Sequence, residues 1–189
     1  MQNIELKNNI LKLFYEANKN FLQNNLSSIL IDISERNMCS NLSHEISLLK
    51  DKFQFSDYYA DAEYDRNGPF GKTIIDENEE VLLITCDLIF HSRGTKQKDN
   101  LLTLEMKKLP SNKKLLDKDR NRLKALTKQA YDNVFLFNDL VLPQHVCGYE
   151  VGIYYLIDTS KKEITLEIYA DGKFINRETN SFEYFMNYK

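Results

Sequence analysis

The stretch LLITCDLIFHSRGTKQKDNLLTLEMKK, Leu82 to Lys108, constrains this chain more than any other. Its two ends, Leu82 to His91 and Leu101 to Met106, are rich in branched apolar residues. Between them lie Gly94 and Asp99-Asn100, residues that favour turns, so the stretch reads as an antiparallel hairpin. A turn symmetric about Lys96 sets Asp87 directly opposite Glu105. Two carboxylates facing each other across neighbouring strands repel. Side chains alternate along a strand, so Glu105 and Lys107 share a face while Met106 points the other way. Three ionisable groups then converge on one side of an apolar hairpin. A hard divalent cation converts such repulsion into coordination, because magnesium takes carboxylate oxygens. A cross-strand Asp87–Lys107 salt bridge and an exposed Glu105 are the reading without a site.

Composition sets the class around this hairpin. The 189 residues fit one domain with a sizeable core, 42% hydrophobic and 28% charged. No apolar run approaches the roughly 20 residues that span a bilayer, so no membrane partner is expected. The N-terminus MQNIELKNN lacks a basic flank leading into an apolar signal core. Cys39, Cys86 and Cys147 are widely spaced, with neither zinc spacing nor a disulfide framework, and fit a reducing cytoplasm. The net charge is only −3, yet nine Lys or Arg lie between Lys107 and Lys128 against Asp117 and Asp119. That cluster is either a phosphate footprint or a solvated helix face.

Helical spacing predicts a helix over 4–24, broken at Asn24-Asn25 and Ser27-Ser28. A second helix is expected from Asp32 to Lys50, with a stripe of Met38, Leu42, Ile46 and Leu49. Glu35 falls on that stripe, and two explanations stand. Asp32 as N-cap with Glu35 three positions on forms a capping box, or the carboxylate is aimed at an internal site. A strand is expected over Tyr59 to Arg66, a turn or loop over 67–79, and a helix over 116–131 capped by Asp117. Val146 to Asp158 and Glu163 to Tyr169 read as further strands, followed by an aromatic tail. The order predicts an α/β or α+β fold, a central mixed sheet flanked by helices. Neither a P-loop nor a G-x-S-x-G elbow is present.

Asp87, a 17-residue gap, then Glu105-Met106-Lys107 resembles the PD-(D/E)XK nuclease superfamily, with Cys86 where the family name has Pro. The upstream helical Glu35, the hairpin and the basic helix match that family's order over roughly residues 30–157. Residues 1–29 would be an N-terminal helical extension and 158–189 a C-terminal strand and tail of the same domain. The resemblance implies a restriction-endonuclease-like core and hydrolysis of nucleic acid, DNA more than RNA. It implies that Asp87 and Glu105, completed by Glu35, hold magnesium or manganese, and that Lys107 positions the attacking water. Arg66 on the preceding strand, and Lys124 and Gln129 on the basic helix, are candidate phosphate contacts, and Glu63 a further ligand. With an acidic chain overall, a protein partner or a homodimer would help deliver substrate. A nuclease-like module that binds without cleaving, and an RNA nuclease, are the competing expectations.

Overall fold

VGIYYLID carries no alternation of polar and apolar residues, and a strand of that kind needs cover on both faces. The computed structural model, which describes residues 2–75, 79–129, 134–137 and 140–188, supplies it. In chain order the elements are α1 (Gln2–Leu30), α2 (Glu35–Leu49), a 3₁₀ turn (Lys50–Phe53), β1 (Tyr59–Tyr64), β2 (Arg66–Asn67), β3 (Phe70–Gly71), β4 (Thr73–Ile75) and β5 (Val81–Leu83). They continue as β6 (Cys86–His91), β7 (Asn100–Lys108), α3 (Lys113–Thr127), β8 (Val134–Phe137), β9 (Leu140–Pro143), β10 (Val151–Asp158), β11 (Glu163–Ala170), β12 (Lys173–Ser181) and α4 (Phe182–Met186).

Six strands form one sheet in the order β1-β6-β7-β10-β11-β12. All neighbours are antiparallel except β7 and β10, which run parallel. A parallel pair cannot be joined by a tight turn, and the chain between these two passes through α3. The mixed sheet flanked by helices expected from the order of elements is therefore present. Ile153, Tyr155 and Ile157 of β10 pack into a core with Phe14 and Phe21 of α1 and Leu42 and Ile46 of α2. Tyr154 and Leu156, on the alternate positions, meet Leu123 of α3 and Tyr169 of β11. Ile89 joins Leu126, Tyr149 and Ile74 in a third cluster.

Gly152 lets α3 come close. A Cβ there would sit 2.9 Å from Thr127 Cγ2 and 3.2 Å from Tyr169 Cβ. Gly152→Ala is expected to cost about 1–3 kcal/mol through overpacking, read as a lower urea midpoint. An unchanged midpoint would mean that the contact relaxes freely.

Several boundaries differ from expectation. α1 runs through Asn24-Asn25 and Ser27-Ser28 to Leu30, because Asn25 Nδ2 bonds the Phe21 carbonyl and Ile29 is buried. α2 begins at Glu35, and Ser34, not Asp32, is its N-cap, its side chain accepting the Asn37 N–H. The capping-box explanation of Glu35 therefore falls. α3 starts at Lys113 behind the cap Asn112, not Asp117, and ends at Thr127. Residues 130 and 131 of the expected helix lie outside those described. The expected strand from Leu82 splits, with β5 pairing β4 in a separate hairpin and β6 entering the main sheet. The expected loop over 67–79 contains β3 and β4, and β12 adds an edge strand that the tail did not announce. Cys39, Cys86 and Cys147 are all buried.

Candidate functional site

Leu88 pairs Leu104, Ile89 pairs Thr103 and Phe90 pairs Leu102, the register expected of a symmetric turn, while nearer the turn a one-residue shift pairs His91 with Asn100. The ladder ends at Leu88 and Leu104, while β6 continues to Cys86 and β7 to Lys108. Beyond that pair the two strands part, and Asp87 takes over from the backbone. Its Oδ2 accepts the Met106 N–H at 2.8 Å, satisfying a donor that the ladder no longer serves. On the other side of β6, β1 pairs Ala62 with Leu88 and Tyr64 with Cys86, so Glu63 lies between these pairs, across from Asp87. Glu63 has φ of 54°, a left-handed conformation that costs a non-glycine residue energy, and β1 ends one residue later. Its carboxylate is held by Arg36 of α2 at 3.0 Å.

Glu105 is almost wholly buried, and its Oε2 accepts from the Arg122 guanidinium of α3 at 2.6 Å. Its other oxygen, Oε1, is buried with no partner among the described residues. Such an orphan acceptor carries a full desolvation penalty. Lys107 reaches the far side of the cluster, its Nζ 3.1 Å from Glu35 Oε2 and 3.9 Å from Asp119 Oδ2. Glu35, the first residue of α2, also accepts the Lys108 N–H at 2.8 Å. Its negative charge is favoured at that helix N-terminus. Asp119 accepts from the Tyr154 hydroxyl at 3.0 Å and lies 3.9 Å from Arg122.

Asp119 and Arg122 are the members that the sequence reading missed. Asp119 is four residues before Leu123 and Arg122 four before Leu126. Those offsets put both on the side of α3 that holds the two buried leucines. Arg120 forms a two-pronged pair with Glu167 of β11 at 2.9 Å.

Electrostatics follow from this crowding. Burial pushes Asp87 up to about 6, against the pull of the Met106 N–H and of Lys107 and Arg122. Burial, then the neighbouring Asp87 charge, push Glu105 well above the ordinary carboxylate range, and the Arg122 ion pair does not offset them. The Cys39 thiol is raised by burial and then by Asp87 and Glu105. Four carboxylates (Asp87, Glu105, Glu35 and Asp119) face two cations, Lys107 and Arg122. With all four ionised, the cluster would be two positive charges short, and the raised pKa values of Asp87 and Glu105 reflect that cost.

The raised carboxylates give a pH signature. The native protein holds protons on Asp87 up to about pH 6, whereas an unfolded aspartate releases them near 3.9. Stability from this group is therefore full below about pH 4 and is lost as pH rises through about 6, on the order of 3 kcal/mol. Glu105 adds a contribution of the same sign. Asp61 and Glu167, held low by bonded cations despite their burial, add the opposite slope. The effect is therefore read as a difference. With chelator present, the parent chain is expected to lose urea stability relative to Asp87→Asn between pH 4.5 and 7. Parallel profiles would contradict the burial of this charge.

The other expected residues lie elsewhere. No hydrogen bond or ion pair among the described residues links Lys124 or Gln129 to Asp87 or Glu105. Lys124 donates to Asn121 and Gln129 to the Thr127 carbonyl, close to the turn at Gly172. Arg66 is exposed and lies 3.6 Å from Asp65. Much of the basic cluster is spent internally, Arg120 on Glu167 and Arg122 on Glu105, while Lys113, Lys114, Lys118 and Lys128 stay exposed. Lys114 and Lys118 line a cleft of about 650 Å³ between α3 and the β4–β5 hairpin, with Leu82, Ile84 and Arg122 on its walls.

Among the described residues, no three His, Cys, Asp or Glu side chains form a group arranged to hold a metal ion. Asp87 and Glu105 remain a fitting pair for magnesium, which commonly takes one or two carboxylates and fills its other positions with water and substrate oxygens. The orphaned Glu105 Oε1 and the unbalanced charge both suit a cation. No helix of the described residues is long and apolar enough to cross a membrane. Comparison of the chain with known protein families, with curated proteins and with solved structures gives no match.

Proposed function

We propose that this protein is a magnesium- or manganese-dependent nuclease of the PD-(D/E)XK kind, with a restriction-endonuclease-like core, acting on DNA. The observation that carries the reading is the parting of β6 and β7 at Asp87 and Glu105, where a half-buried and a buried carboxylate face a deficit of positive charge. An ion bound there would supply a Lewis acid and an acidified water. The chain's own residues do the rest. Asp87 and Glu105 hold the donor oxygens on two strands, fixed by the Met106 N–H and by Arg122. Lys107, kept protonated by its bond to Glu35 despite the cost of burial, offers positive charge to the phosphoryl oxygens and orients water. Asp119 and the Tyr154 hydroxyl steady the α3 side. Lys114 and Lys118 give the neighbouring cleft a cationic wall for a phosphate backbone.

A second reading has an observation of its own. Arg122 on Glu105 and Lys107 on Glu35 pair two of the acids without any metal, as a binding module that had given up cleavage would. Incubation with plasmid, single-stranded DNA and RNA, each with magnesium, manganese or chelator, separates the two. Metal-dependent cleavage of DNA is the expected result. Binding without cleavage would favour the module, and cleavage of RNA alone would make it a ribonuclease.

A further inference from the structure

A second cluster of cations lies outside the carboxylate site. Lys72, between β3 and β4, is 2% exposed. Its ammonium donates to the Tyr149 hydroxyl at 3.0 Å and sits over the rings of Tyr64 (5.0 Å) and Tyr149 (5.6 Å). No carboxylate among the described residues forms an ion pair with it. Among the described residues its hydrogen-bond acceptor is that neutral hydroxyl, and its other partners are the two ring faces. An interior ammonium is costly unless it is paired, and burial lowers its pKa accordingly.

Lys72 lines a recess of about 100 Å³, with Arg66 and Arg93 at its edge and Gly68 and Gly94 in its walls. Both glycines have positive φ, a backbone conformation that other residues adopt only with strain. The lining holds one carboxylate, Asp99. One of its oxygens, Oδ1, accepts from the Ser92 N–H, the Ser92 hydroxyl and the Gly94 N–H, which fixes the carboxylate in the wall. Arg93 is anchored by Asp61 and lies over the Tyr59 ring, so its position is fixed before anything binds. Three cations, with Arg93 paired to Asp61 and Arg66 lying beside Asp65, thus border a space of about three water volumes. That is room for one tetrahedral oxyanion and too little for a nucleoside.

We infer that this recess is a phosphate-binding pocket in which the buried Lys72 ammonium, Arg66 and Arg93 grip one terminal phosphate group. Arginine forks and ammonium groups are the donors that phosphate oxygens take best. The source is either the end phosphate of a nucleic-acid strand, which rests on the nuclease reading, or free inorganic phosphate, which does not. Buried Cys86 lies within electrostatic reach of both Lys72 and Glu105.

The test uses the intact chain in EDTA, so that no cleavage enters the measurement. One short single-stranded oligonucleotide is bound as its 5′-phosphate, 3′-phosphate and unphosphorylated forms, and inorganic phosphate is added as competitor and as thermal-shift ligand. One end phosphate is expected to tighten binding at least about tenfold, the worth of one charge-assisted hydrogen bond. That gain should vanish in Lys72→Met and shrink in Arg93→Gln. If the three oligonucleotides bind alike while inorganic phosphate raises the Tm of the parent chain but not of Lys72→Met, the pocket stands and free phosphate is its ligand. If neither phosphate source has an effect, or the gain survives both substitutions, the inference is overturned. Should Lys72→Met fail to fold, the parent chain and the rim substitution Arg66→Gln decide alone. An end-phosphate preference in a protein that cuts nothing would sink the nuclease reading and leave the pocket standing.

Discussion

The Asp87→Asn protein is expected to cleave DNA in magnesium at least about 10³-fold more slowly than the parent chain while being no less stable at neutral pH. The amide oxygen of asparagine can still accept the Met106 N–H, so the end of the β6–β7 ladder keeps its bond. What disappears is a half-buried negative charge that the fold holds at a cost, as its pKa of about 6 reports. A residue whose removal helps the fold and ruins the chemistry is what a strained functional position predicts. A purely structural Asp87 gives the reverse pattern, a weaker protein whose cleavage per folded molecule is unchanged. Lys107→Met should lower cleavage by a similar order while costing only about 1 kcal/mol, because the Lys107–Glu35 pair is partly exposed.

Arg122→Leu carries the largest expected loss of stability, about 3–5 kcal/mol at pH 7. The guanidinium is the hydrogen-bonded partner of Glu105, whose carboxylate is 2% exposed. Removing it leaves a charge buried beside Asp87, with one oxygen already orphaned. Protonation of Glu105 relieves part of that cost, so the loss should shrink at pH 5. A saturating divalent ion should restore part of it too, through a new partner for the same carboxylates. Urea melts at the two pH values, with and without manganese, read all three effects. A change below about 1 kcal/mol would mean that the pair is solvated, against the burial seen here.

What the sequence made legible was the part set by local, periodic forces. A turn symmetric about Lys96 gave the register of the ladder from Leu88 to Phe90, although that ladder ends one pair short of Asp87 and Glu105. The Met38–Leu42–Ile46 stripe of α2 is buried as its spacing implied, and it carries Glu35 to Lys107. What stayed hidden was set by tertiary partners. Nothing local to KKLLDKDRNRLKALT distinguishes Arg122, which ends on Glu105, from Arg120, which ends on Glu167. Asn24-Asn25 reads as a break, yet the helix continues because Asn24 and Asn25 find Glu45 and the Phe21 carbonyl. β12 is an edge strand exposed along most of its length, so KFINRETNS shows little apolar alternation to announce it. Lys72 drew no notice in sequence, because its burial depends on Tyr64 and Tyr149, the latter 77 residues away.

The most direct test is a crystal of the parent chain soaked in manganese and measured at an anomalous wavelength. A bound ion bridging the Asp87 and Glu105 carboxylates, absent from crystals of Asp87→Asn, is the result expected. A map with no peak between β6 and β7, or a peak that persists in Asp87→Asn, would contradict a divalent-ion site at this pair.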